Sequence, residues 1–246
     1  MTPQAFCPLL RCDETGVGQA LHPSRQRDAR DRPCDRAMTD GRAHVSWPRL
    51  VLLRHGVTTA PAGTYLGSRI DPPLSPRGER QARAARAALD RLALSVVVTS
   101  PLRRAVETAA LAVPPVARPG QRVVEDRFRE QDMGDYTGLA WDQIKELGRD
   151  AARAWRDHGA APPGGESAGL MWHRTIEAAL ELTTEADGHA NLLIVSHSGP
   201  ICALLASAKG LGPADERRIR VPHGWLRSIR ATPSVRARWL KILAAT

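Results

Sequence analysis

The sequence predicts an α/β layer fold with a mainly parallel sheet, and three observations lead there. Short apolar runs recur at Leu50–Leu53, Val96–Val98 and Leu192–Val195. Each is followed by a longer stretch of helical character, and loops rich in Gly and Pro separate the units. Buried parallel strands read as short continuous apolar runs because both faces are covered, and helices between them supply the cover. Ligand groups in such folds gather at the carboxyl ends of strands. Two of the three runs end close to a histidine, His55 and His197.

Taken in order, residues 1–46 are polar, with scattered Arg and Asp and no sustained period. They read as a disordered tail or a mis-annotated N-terminal extension ahead of a start at Met38. The ordered domain is expected over 47–246. Leu50–Leu53 forms the first strand and ends at Arg54-His55-Gly56. Ser75 caps a helix over 76–91, with Pro76 in its first turn. Val96–Val98 is the second strand, and Ser100 is expected to cap the helix after it. Loop and turns are expected over 123–138, one helix over 140–156, and another from Glu166 to about 184. Pro162-Pro163-Gly164-Gly165 separates these helices. Leu192–Val195 is the third strand, and a helix follows near 199–209. The chain is expected to close with a hairpin, Trp225–Arg230 and Ser234–Ile242 around Pro233.

Composition narrows the function. Of the 246 residues, 42% are hydrophobic and 25% charged, ordinary for a globular protein. The net charge is +9, yet the cations are nearly all Arg, spread with Ala along the whole chain. That spread fits a biased coding composition better than a nucleic-acid surface, and no basic patch with interleaved aromatics is present. A basic field also suits a small anionic substrate. The four cysteines form no CxxC pair, which speaks against a disulfide framework or a cysteine metal site. No apolar run reaches membrane-spanning length and no leader pattern opens the chain, so a cytoplasmic location without membrane contact is expected.

The chemistry-bearing residues cluster at strand ends. Imidazole is a competent phosphoryl acceptor, so His55 is a candidate nucleophile. Arg54 beside it offers a planar fork for phosphate oxygens. Arg104, in the first turn of the next helix, can reach the same anion, and exposed amides of that helix would add to the site. His197 at the third strand end can stabilise charge on the transferred group. The alternative, two histidines of a metal site, lacks an HExxH pattern or a nearby carboxylate. A general acid is also needed, and the residues alone leave Glu125, Asp126, Glu130, Asp132 and Asp135 open.

Four motifs in order resemble the histidine phosphatase superfamily, also called phosphoglycerate mutase-like. They are Leu53-Arg54-His55-Gly56-Val57-Thr58, Thr99-Ser100-Pro101-Leu102-Arg103-Arg104-Ala105 through Ala109, Glu130 with Gly134-Asp135-Tyr136-Thr137-Gly138, and Val195-Ser196-His197-Ser198-Gly199. The resemblance implies a three-layer α/β/α fold. It implies His55 as the phosphorylated nucleophile, Arg54, Arg104 and His197 as the phosphate pocket, and Glu130 as acid and then base. Thr58, Gly67 and Ser198 follow as substrate-binding positions, and Glu166 as a capping and orienting residue. No cofactor and no metal is implied, and the expected partner is a small phosphorylated metabolite. Oligomeric state is left open, with a homodimer among the options.

Departures from the family pattern point toward hydrolysis. Pro61 stands where mutases often carry Asn, Leu66 stands where Thr or Ser is usual, and only 35 residues separate Glu130 from Glu166. Mutases typically have a longer covering segment there, and a more open site admits water. Tyr65-Leu66-Gly67 and Asp71-Pro72-Pro73-Leu74-Ser75 resemble the α-ribazole phosphatases. The expected activity is thus hydrolysis of a small phosphate ester through a phosphohistidine. The alternatives are an α-ribazole phosphatase, a phosphoglycerate mutase and a non-catalytic phospholigand-binding protein.

Overall fold

The computed structural model describes residues 46–113 and 121–245. The expectation for the N-terminal stretch lies outside them, as do Cys7, Cys12, Cys34 and Met38. Five strands form one sheet: β1 (Arg49–Arg54), β2 (Leu94–Thr99), β3 (Gln121–Val124), β4 (Asn191–Ser196) and β5 (Leu226–Arg230). Their order is β3-β2-β4-β1-β5. The first four are parallel, and β5 joins the edge antiparallel to β1.

Alternation along the strands builds the three layers. Leu50 and Leu52 of β1, Val98 of β2, and Leu192 and Ile194 of β4 share one cluster with Trp172, Ile176, Leu204 and Trp239. Val51, Leu53, Val97, Leu193 and Val195 point the other way and pack on Ala85, Leu89, Ala105 and Ala109. The first face is covered by α5 (Ala168–Glu185), α6 (Ser198–Ala208) and α7 (Pro233–Ala244). The second is covered by α1 (Pro76–Leu89) and α2 (Arg103–Ala112). This explains why the strands read as continuous apolar runs: neighbouring residues face opposite covered sides.

A smaller third cluster holds Met133, Tyr136, Ile144, Ala152 and Trp155, with Tyr65, Leu139 and Trp141 packed against it. Its helices are α3 (Trp141–Leu147) and α4 (Arg149–His158).

Ser75 caps α1 as expected, accepting from the Gly78 amide with Pro76 behind it. Several expectations are corrected. The helix over 140–156 is two helices, broken at Gly148. The segment expected as loop from 123 contains the end of β3, paired to β2. The α5 cap is Ser167, whose hydroxyl accepts from the Leu170 amide, so Glu166 is not the cap. The closing hairpin has one strand only, since 233–244 is helical. Thr232 caps that helix, Pro233 sits in its first turn, and the packed residues Val235, Trp239 and Ile242 follow helical spacing. With β1 already supplying β5's partner, a second antiparallel strand is not needed.

Candidate active site

Strand register creates the site. In the parallel pair β1–β4, Arg54 lies opposite Ser196. The residue following each is a histidine, so His55 and His197 emerge side by side at adjacent carboxyl ends. Their ring centroids are 5.0 Å apart. On the other side of β4, Thr99 of β2 lies opposite Val195, which brings Ser100 to the same edge. Ser100 does not cap α2, whose cap position is Leu102 with no side-chain bond. The Ser100 hydroxyl instead lies 2.7 Å from His197 Nε2.

His55 is 4% exposed, and its Nδ1 lies 2.8 Å from the carbonyl of Gly56. A carbonyl only accepts, so Nδ1 carries the proton and Nε2 keeps its lone pair. Burial, and next the positive charges of Arg54 and Arg104, hold the His55 pKa well below the usual histidine value. The ring is therefore neutral at neutral pH. His197, fully buried, is shifted the same way by desolvation first and then by its charged neighbours. Gly56 has to be glycine: a Cβ there would lie 2.7 Å from the Gly78 Cα, so the His55 loop and α1 could not approach.

Arg104 is 1% exposed, and the surrounding chain fixes its orientation. One terminal nitrogen donates to the Ile70 carbonyl at 3.0 Å and pairs with Asp71 at 3.2 Å. The other donates to the Gly67 carbonyl at 2.7 Å. Asp71 also accepts from the Arg103 and Arg104 amides. The first amides of α2, expected to be free for an anion, are thus occupied by a carboxylate of the chain itself. Arg54 is held through the Val221 carbonyl and His223 Nε2. Its two-pronged end is engaged as well, and the nitrogen left over is Nε. Among the described residues, Arg54 Nε, Arg104 Nε and His197 Nδ1 are buried without a hydrogen-bond partner. An unmet buried donor costs about 1–3 kcal/mol, so the two guanidinium Nε groups whose charges act on His55 make this a candidate place for an anion.

Glu130 lines the same cleft. Its carboxylate accepts from the amides of Gln131 at 3.0 Å and Gly199 at 3.3 Å. A Cβ on Gly199 would meet Glu130 Oε1 at 2.5 Å, so a larger residue there would displace this carboxylate. Thr58, Gly67 and Ser198 also line the cleft, whose volume is about 790 Å³. Among the described residues, no three His, Cys, Asp or Glu side chains are grouped to hold a metal ion.

Residues 50–237 match the family model of the histidine phosphatase superfamily, branch 1. The chain belongs to that superfamily. It is 37% identical over 175 residues to a glucosyl-3-phosphoglycerate phosphatase of Mycolicibacterium vanbaalenii, covering 68% of this chain and 76% of the relative. A solved mycobacterial glucosyl-3-phosphoglycerate phosphatase superposes with a TM-score of 0.65 at 32% identity, covering 73% and 88% of the two chains. The α-ribazole phosphatase of Shigella flexneri superposes with a TM-score of 0.67 at 28% identity, covering 76% and 92%. The reaction class of this superfamily member is phosphoric monoester hydrolysis.

From the sequence, His223-Gly224-Trp225 is expected only to help read substrate shape; the structure sets the His223 ring beside His55. His223 lines the cleft, its ring centroid 5.2 Å from that of His55, and its Nε2 accepts from Arg54. Burial, and then Arg54, Arg77 and Arg104, lower its pKa to about 4. Its position just before β5, which itself pairs with β1, was the available signal.

Proposed function

We propose that the chain hydrolyses a small phosphorylated metabolite by passing the phosphoryl group to His55 and then to water. The observation that carries this reading is the bond from His55 Nδ1 to the Gly56 carbonyl, which leaves Nε2 unprotonated among two guanidinium groups. In the first step Nε2 bonds to phosphorus while the ester P–O bond breaks. Glu130 gives its proton to the departing oxygen. In the second step the oxygen of a water bonds to phosphorus, Glu130 takes the water proton, and the N–P bond breaks. Arg54 and Arg104 hold the transferred oxygens as charge shifts, with His197 Nδ1 as a further donor. Thr58 and Ser198 are assigned to substrate oxygens, and Gly67 acts through its carbonyl on Arg104. No step calls for a metal, so activity should persist in chelator.

The leaving group in this reading is polar and much larger than a methyl ester, since the cleft extends well beyond the phosphate end to Tyr65, Trp155 and Arg156. Glucosyl-3-phosphoglycerate is the first candidate, on the relative at 37% identity, and α-ribazole phosphate the second. The same reading expects a cytoplasmic enzyme, because small phosphorylated metabolites are its proposed substrates. Phosphate release should be screened over these two esters, 3-phosphoglycerate, sugar phosphates and nucleotides, with isomerised product assayed alongside. His55→Ala should abolish acid-labile phosphoenzyme and lower kcat by on the order of 10⁴-fold or more. Wild-type turnover in that variant would refute the mechanism.

A further inference from the structure

We infer that Arg174, on α5 and away from the reacting atoms, is the positioning residue that sets Glu130 for proton transfer. The inference rests on the reading of Glu130 as the general acid. Glu130 reaches the cleft from an irregular segment that follows the short helical turn Asp126–Phe128. Such a segment has no ladder of its own to fix it. Arg174 supplies the missing bonds. Its Nη1 donates to the carbonyls of Arg127 at 2.7 Å and Arg129 at 2.8 Å, and its Nη2 to the carbonyl of Glu130 at 3.2 Å. One planar group thus gathers three carbonyls of the four-residue approach to the acid.

The guanidinium is itself held. Glu166 takes Nε at 2.7 Å and Nη2 at 2.8 Å, a two-point grip with both side chains 18% exposed. That geometry resists rotation in a way a single contact cannot. Glu166 also reaches the far side of the acid: its carbonyl accepts from Gln131 Nε2 at 2.7 Å, and its amide donates to the Asp132 carbonyl. The pair therefore clamps the chain before and after Glu130. The orienting role expected for Glu166 is carried out through Arg174. Arg174 lies on the same helix as the Ser167 cap, so a rigid element fixes the acid's backbone. The remaining freedom of the carboxylate is limited by the Gln131 and Gly199 amides.

Arg174→Met removes the clamp without touching the phosphate-holding groups, and leaving-group dependence reports the result. An alkyl phosphate needs its departing oxygen protonated, whereas an activated aryl phosphate leaves as a stable anion and needs little help. The kcat/KM for the alkyl ester should fall by about tenfold or more beyond any fall for p-nitrophenyl phosphate. Arg174→Lys, which keeps charge but not the fork, should fail to rescue the alkyl reaction. If Arg174→Met does not fold, Glu166→Gln, with its grip on Arg174 weakened, is compared on the same two substrates. Glu130→Gln is the reference. If it shows no preference for the aryl ester, the assignment of Glu130 as acid fails, and the inference with it. If Glu130→Gln shows the preference but the folded clamp variant lowers both substrates equally, Arg174 is structural only and the inference is overturned.

Discussion

The floor of the cleft and its mouth are built by different parts of the chain and held by different forces. The floor stands on strand ends. His55, Ser100 and His197 follow paired residues of β1, β2 and β4, so their spacing is fixed by the hydrogen-bond ladder of the sheet. The mouth is loop and short helix. Residues 64–65 are stitched to 138–140 by a bridge and by two backbone bonds, and not to the sheet. Trp155 packs edge-on to Tyr65 and Tyr136, and Arg156 lies over the Trp141 ring at 4.1 Å. The small cluster beneath them is separate from the two that cover the sheet. The two walls of the mouth are joined to each other, and the same loop meets the floor through Gly67, Ile70 and Asp71, which hold Arg104. In the proposed reading the floor handles the phosphate and the mouth reads the leaving group.

Substitutions on the two sides should separate these roles. The largest effect belongs to the floor. Arg104→Met removes a buried, pre-oriented donor and leaves Asp71 without its ion pair. It should lower kcat/KM by about 10²- to 10³-fold for every ester tested. A loss confined to one substrate would move Arg104 from floor to mouth. A smaller, selective effect is expected at the mouth. Arg156→Ala should raise KM about fivefold, roughly 1 kcal/mol, for the best natural ester, with much less change for p-nitrophenyl phosphate. Equal changes for both would show that the mouth does not read the leaving group.

The smallest effect sharpens the boundary between the two regions, where His223 sits. Its folded pKa of about 4 lies below the ordinary 6.5. Between those values the unfolded chain binds more protons, so stability falls as pH drops from about 6.5 toward 4. Below the folded value no further loss arises from this group. His223→Asn should flatten the difference between urea midpoints at pH 7 and pH 5. The flattening will be partial, because His55 and His197 are shifted in the same direction. An unchanged pH dependence would mean that His223 is not held neutral by burial and its arginine neighbours.

Local pattern alone determined much of this protein. The runs at 50–53, 96–98 and 192–195 announced buried strands, and Ser75-Pro76 announced a helix start, because burial on two faces and capping depend on nearest neighbours along the chain. The residues at those strand ends, taken with the four motifs, pointed to the superfamily and its reaction class. Tertiary structure decided what depends on distant partners. It set that Asp71 occupies the α2 amides, that Arg54 leans on His223, and that Ser100 reaches His197 across the sheet edge. It also turned the last expected strand into α7, although Thr232-Pro233 and the spacing of Val235, Trp239 and Ile242 carried that signal in the sequence. Periodicity records which side of an element is covered. It does not record which group, 50 or 150 residues away, supplies the other end of a hydrogen bond, and the site is made of such bonds.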